Sequence, residues 1–129
     1  MQILSPYNDR ASDKQNTDKA VLELKRLSRD YEIPIVAVSS FNRENYTEPV
    51  NLSSFKESGA IEYSADVLIG LQYDGMDYKK TNKNGKNVYE KKSDREARVR
   101  TLIDDQMERG KAGQDQSIQV KILKNRNGA

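Results

Sequence analysis

The sequence predicts an α/β fold, a mostly parallel sheet with flanking helices, plus a long charged insertion. Three observations carry this expectation. The run Ile35, Val36, Ala37, Val38 is β-branched and continuous rather than alternating, the pattern of a strand covered on both faces at the centre of a parallel sheet. A helical pattern precedes it, and a second apolar run at 67–71 follows short helical segments, so helices and strands interleave as in layered α/β proteins. Between residues 74 and 116 the apolar content drops and lysines accumulate.

Taken in order, residues 7–15 are polar and turn-rich and read as a loop. A helix begins near Asn16 or Thr17, either of which can cap it. Val21, Leu24, Leu27 and Tyr31 recur three or four positions apart and predict its buried face, with Lys19, Glu23, Lys25, Arg26 and Arg29 outside. Pro34 disfavours helix at the residue before it and opens the strand. That strand runs into Ser39, Ser40, Phe41, Asn42 and Arg43, and the carboxyl end of a parallel strand is where open α/β sheets bind ligands.

Residues 44–52 read as loop, with a short helix starting at Asn51 or Ser53, broken at Gly59, and a second short helix over 60–65 before the buried strand 67–73. Lys79, Lys80, Lys83, Lys86, Lys91 and Lys92 then lie among Asn, Gly and Asp, a composition that predicts a mobile or disordered first half for the 74–116 insertion. From Ser93 a helix is expected, with Ala97, Val99, Leu102, Ile103 and Met107 apolar and Gly110 as its stop. Ile118, Val120 and Ile122 alternate with Gln119 and Lys121, a half-exposed strand of period two.

The chain has 129 residues, enough for one domain, here residues 1–129 with the 74–116 insertion inside it. Its hydrophobic content is 35% and its mean hydropathy −0.93, against the apolar share of about 45% usual for globular chains. Part of the chain is therefore unpacked, or part of its core is missing. Net charge is only +2, from 22 basic and 20 acidic residues, so any contact with a polyanion is local. The absence of Cys and His excludes disulfides, thiolate and imidazole metal sites and His-based triads, and agrees with a reducing cytoplasm. No metal site is expected. No apolar run approaches the roughly 18 residues a membrane span needs, and the first residues lack the pattern of a signal peptide.

Three constellations carry chemistry. Ser39 to Arg43 place hydroxyl, amide and guanidinium groups at a strand end, suited to a phosphate or the water beside it. Lys124 and Arg126, two residues apart on an extended segment, project to one side and suit an anion such as a triphosphate. In the stretch 56–66, Gly59 permits close approach of a phosphodiester backbone, Lys56 supplies charge and Ser58 a donor, while Glu57 and Glu62 suit orientation of a neighbouring lysine better than phosphate. Each has a plainer reading by itself: satisfied turn residues, a solvated basic tail, a solvated loop.

In this order and on these elements, the segments resemble the C-terminal motor domain of DnaB-like replicative DNA helicases, which have a RecA-like (P-loop NTPase) fold. The resemblance runs through Val21 to Ser28, Ile33-Pro34-Ile35-Val36-Ala37-Val38-Ser39-Ser40-Phe41-Asn42-Arg43, Phe55-Lys56-Glu57-Ser58-Gly59-Ala60-Ile61-Glu62, Ala65-Asp66-Val67 and Lys124-Asn125-Arg126-Asn127-Gly128. It implies an ATP- and Mg-dependent motor, working as a homo-oligomeric, hexameric ring on single-stranded DNA, away from any membrane. Ser40 holds the place of the family's γ-phosphate-sensing glutamine, and its shorter hydroxyl needs a water or Asn42 to reach as far. Lys56, Glu57 and Gly59 match the channel loop that holds DNA. Lys124 and Arg126 match the pair that enters the neighbouring subunit's ATP site, Arg126 being the arginine finger, worth about 10³ to 10⁵ in rate where such fingers have been studied.

No Gly-x-x-x-x-Gly-Lys-Ser/Thr occurs, so nothing here cradles the β and γ phosphates. The resemblance places the Walker B aspartate just before Met1, which implies the second half of a motor domain, inactive by itself. The strands that would flank 33–39 in the RecA-like sheet are then missing, and an unpaired apolar strand is expected to self-associate. A non-catalytic nucleic-acid-binding or subunit-interaction module, and another RecA-like ATPase such as a recombinase or clock-type ring protein, remain as alternatives.

Overall fold

The computed structural model describes residues 10, 12–41, 46–55 and 59–128. Helix α1 (Asp13–Tyr31) starts a turn earlier than Asn16 because Ser12 and Gln15 form a capping box. The Gln15 N–H donates to Ser12 Oγ at 3.2 Å, and the Ser12 N–H donates to Gln15 Oε1 at 3.0 Å. Glu32 closes the helix in the left-handed region, at φ 53 and ψ 42. The Ile33 N–H returns to the Ser28 carbonyl oxygen at 3.1 Å, just ahead of Pro34. Val21 and Leu24 are half-buried, whereas Leu27 and Tyr31 are exposed, so the expected buried face is only partly covered.

The central strand expected at 33–38 is corrected. Residues 33–40 join no ladder, and Val36 and Val38 are 92% and 83% exposed. β-propensity expresses itself only where a neighbouring strand offers N–H and C=O partners, and no described residue does so along this segment. Regular pairing appears only at its end, where Phe41 bridges Phe55 antiparallel and the two rings meet edge to face at 5.6 Å.

A 3-10 turn (Leu52–Ser54) follows, capped by Asn51, and α2 (Gly59–Ser64) is the second short helix expected at 60–65, starting one residue earlier. Strand β1 (Val67–Tyr73), strands β2 (Lys80–Lys83) and β3 (Lys86–Tyr89), helix α3 (Lys92–Lys111) and strand β4 (Ile118–Asn125) complete the chain. β1 pairs with β4. The Asp74 N–H meets the Ser117 carbonyl oxygen at 3.0 Å and the Arg126 N–H meets the Asp66 carbonyl oxygen at 2.9 Å, so this pair runs antiparallel. β2 and β3 are antiparallel too. Among the described residues the fold is α/β, but its two small sheets hold no parallel pair, in contrast to the mostly parallel sheet expected.

β1 is also less buried than its apolar run suggests, because Val67, Ile69 and Leu71 are exposed while Leu68, Gly70 and Gln72 face inward. In β4 the period-two alternation is present with the opposite side covered. Ile118, Val120 and Ile122 are exposed, and Gln119 and Lys121 are half-buried. Polar partners explain the inversion. Gln72 Nε2 donates to Gln119 Oε1 at 2.7 Å and to Asp77 Oδ1 at 3.2 Å, and Lys121 pairs with Asp77.

The stretch expected to be mobile or disordered forms the β2–β3 hairpin. Its register sets Lys83 opposite Lys86, leaving Asn84 and Gly85 as a two-residue loop with φ of 53 and 76. Positive φ at both central residues is the turn that matches strand twist, and Asn-Gly is its preferred pair. All eight strand residues are exposed, as their lysine-rich composition requires.

By their contacts the described residues fall into two units, one within Met1–Arg43, Asn51–Ile69 and Ile122–Ala129, the other within Glu44–Val50 and Gly70–Lys121. In the second, Met76, Val99 and Ile103 make the core, with Tyr73 and Leu102 packed on it. The buried stripe of α3 runs through Arg95, Val99, Ile103 and Gln106, so it includes a guanidinium and an amide that hydrophobic periodicity does not mark.

Candidate functional site

β4 carries Lys124 on its last turn of pleat, and Arg126 lies just beyond the strand, so period-two geometry sends both cations the same way. Both reach the carboxyl end of α2. Lys124 Nζ donates to the carbonyl oxygens of Glu62 and Tyr63, the latter at 3.4 Å, and Arg126 Nη2 donates to the Tyr63 carbonyl oxygen at 2.5 Å. Carbonyls at the end of a helix lack intrahelical donors and carry partial negative charge, so two cations there satisfy orphan acceptors. Gly128 holds the tail close, since a Cβ on it would collide with the Asn125 side-chain amide.

Asp66, between α2 and β1, is the carboxylate that binds Arg126. Lys25 Nζ on α1 donates to its two oxygens at 2.8 and 2.7 Å, and Arg126 Nη1 donates to Oδ1 at 3.0 Å. The hydrogen bond from Lys25 holds the Asp66 carboxyl below its usual range, helped by the charges of Arg126 and Lys124. Lys25, Arg126 and Lys124 all act on this carboxylate, and the Arg126 side chain is 43% exposed. A guanidinium so placed suits the oxygens of a phosphate.

The other expected site residues fall elsewhere. Ser40 is exposed on the segment that leads into Phe41, and Ser39 Oγ lies 3.5 Å from the Ser40 carbonyl oxygen. Asn42, Lys56 and Glu57 lie outside the described residues. Gly59 is exposed at the first position of α2, and a Cβ there would meet nothing within 4 Å. The Phe41–Phe55 bridge brings together the chain following Ser40 and the chain preceding position 56. α2 has 6 residues and is therefore about 9 Å long. Gly59 stands at one end of it and the two cations at the other.

Lys25 and Asp66 are the participants that sequence reasoning missed. They are 41 positions apart, and no local spacing links them. Among the described residues no group of three or more acidic side chains could hold a metal ion, and no helix is long and apolar enough to cross a membrane.

The family model of the DnaB-like helicase C terminal domain matches residues 1–129. A replicative DNA helicase DnaB of Helicobacter pylori strain J99 is 36% identical over 115 residues, which are 83% of this chain and 23% of that protein. That of Geobacillus stearothermophilus is 33% identical over 84 residues, 60% of this chain and 18% of the relative. That of Treponema pallidum is 45% identical over 51 residues, 40% and 12% of the two. The chain thus spans about a quarter or less of the length of these relatives. No solved structure shows significant similarity to it. The match over the whole chain, joined by relatives that bear the same name, establishes that this chain belongs to the family of DnaB-like helicase C-terminal domains.

Proposed function

We propose that this chain is part of the motor domain of an ATP-dependent replicative DNA helicase, a hexameric ring of the cytoplasm that translocates on single-stranded DNA. The observation that carries the reading is the convergence of Lys124 and Arg126 on the Tyr63 carbonyl oxygen, at the far end of the short helix that Gly59 begins. Arg126 acts as an arginine finger, and with Lys124 it meets the phosphates of an ATP bound by the neighbouring subunit. Ser40 and Asn42 respond to the γ-phosphate. Lys56, Glu57 and Gly59 contact the DNA backbone. The 74–116 stretch is an insertion in a sheet whose parallel strands come from other parts of the motor domain.

No phosphate-cradling motif occurs among these 129 residues. ATP and its Mg are held by other parts of the protein, and the chain alone is without ATPase activity. The test is Arg126→Ala in the full-length protein that carries this chain. ATP hydrolysis should fall by about 10³-fold or more with binding of a fluorescent ATP analogue unchanged, and hydrolysis at the unsubstituted rate would end the finger assignment. A subunit-interaction module working without nucleotide is the competing reading, favoured by the exposure of Val36 and Val38. Arg126→Ala discriminates the two, because that module has no hydrolysis to lose.

A further inference from the structure

Arg126 is held by more than its own strand. Its backbone N–H donates to the Asp66 carbonyl oxygen at 2.9 Å, and its Nη1 donates to Oδ1 of the same residue at 3.0 Å. Its Nη2 is fixed on the Tyr63 carbonyl oxygen. One N–H on each terminal nitrogen is thereby engaged, and the remaining guanidinium donors belong to a side chain 43% exposed. An arginine whose fork is clamped on one edge presents the other edge in a set direction, and ordering it before the ligand arrives reduces the entropy lost when the ligand binds.

Asp66 is suited to this task because its own charge is offset. Lys25 binds both of its oxygens from α1, so the carboxylate adds little repulsion toward an approaching phosphate. From this geometry we infer that Asp66 is a positioning residue for the finger, orienting the Arg126 guanidinium toward the γ-phosphate of an ATP bound by the neighbouring subunit. The inference rests on the finger reading above and adds the residue through which the finger is aimed.

A carboxylate that aims the finger acts only while the finger is present. A double-mutant cycle therefore separates this role from plain support of the fold. The experiment measures ATP hydrolysis by the full-length protein, with rates normalised to bound fluorescent ATP analogue so that unfolded protein does not count. Asp66→Asn should lower kcat about tenfold and leave KM unchanged, the size of effect expected from losing one charge-assisted hydrogen bond. In the Arg126→Ala background the same substitution should change nothing. Lys25→Met, which breaks the other half of the ion pair and spares the Arg126 contact, should lower kcat by a smaller factor.

An equal loss from Asp66→Asn in both backgrounds, no loss in either, or a loss from Lys25→Met as large as that from Asp66→Asn would overturn the positioning role while leaving the finger in place. Unchanged hydrolysis in Arg126→Ala alone would overturn both readings.

Discussion

Arg95 is fully enclosed, at 0% exposure, and gives both its Nε–H and an Nη2–H to the Met76 carbonyl oxygen, at 3.0 and 2.6 Å. Nη2 also reaches the Thr47 carbonyl oxygen at 2.8 Å, and the guanidinium sits 4.7 Å from the centre of the Tyr78 ring. Nη1 makes no hydrogen bond among the described residues and faces Glu48 Oε2 at 3.8 Å. One side chain on α3 thus pins two stretches of backbone that have no ladder of their own.

Arg95→Ala is expected to destabilise the chain by about 3 to 5 kcal/mol, because it removes the donors of two carbonyl groups and one of the two cations that face Glu48, leaving Lys92 as the other. Arg95→Lys keeps the charge and loses the planar fork, so it should fall between that variant and the unsubstituted chain. Urea unfolding followed by circular dichroism checks this, and a shared midpoint for all three proteins would show that the guanidinium carries no stability.

Glu90 closes the base of the hairpin. Its Oε1 accepts from the Lys79 N–H at 2.8 Å, its own N–H donates to the Lys79 carbonyl oxygen at 3.0 Å, and Arg98 Nε donates to its Oε2 at 3.1 Å. The Arg98 hydrogen bonds, followed by the Lys79 N–H, lower its pKa from 4.5 to about 2. A depressed carboxylate pKa stabilises the folded state above the unfolded value, and the benefit disappears as pH falls through the folded one. Stability should hold from neutral pH to about 4.5 and decline toward 2, with Asp66 and Asp77 shifted the same way. Glu90→Gln should flatten part of that decline, and an acid limb identical to that of the unsubstituted chain would remove Glu90 from it.

Legibility followed the range of the interaction. Val99 and Ile103 declare α3 because helical periodicity is local, and Ser12 with Gln15 spells a capping box that places the start of α1. The Asn84-Gly85 turn was equally open to reading, but the surrounding lysines suggested a chain without packing, and a hairpin with fully exposed strands needs little packing to close. Residues 33–38 have strand composition, whereas a ladder depends on a partner that local sequence does not specify. The pairing of Lys124 and Arg126 on one side follows from strand period. Their acceptors at Tyr63 and Asp66 do not, since these lie 60 or more positions away.

Gly59 offers a separation of stability from binding. A Cβ at this position meets nothing within 4 Å, so Gly59→Ala should leave unfolding unchanged or slightly raise it, given the better helix propensity of Ala. If the residue touches a DNA backbone, the added methyl group should weaken single-stranded DNA binding by the full-length protein severalfold. Lys56→Ala should weaken it too and reduce the slope of log affinity against log salt by about 0.7, the value of one phosphate contact on a single strand. Fluorescence anisotropy with a labelled oligonucleotide at several salt concentrations checks both. Binding unaltered in the two variants would take 56–59 out of the DNA interface.

The exposure of Val36 and Val38, 92% and 83%, makes self-association of the chain the expected behaviour. Alternate residues of an extended segment share a face, so the two side chains present one exposed apolar strip against which a second copy can pack. Sedimentation velocity of the 129-residue chain should show dimers or larger species that grow with concentration. Covering a valine completely contributes about 1.5 kcal/mol, so Val36→Lys with Val38→Lys should weaken association by about a hundredfold and add like-charge repulsion across any symmetric pairing. Arg95 and Glu90 are untouched by the pair, so unfolding measured at low concentration should not change. A chain that sediments as a monomer at high concentration, or a double variant that associates as strongly as the parent, would show that this strip is not where copies meet.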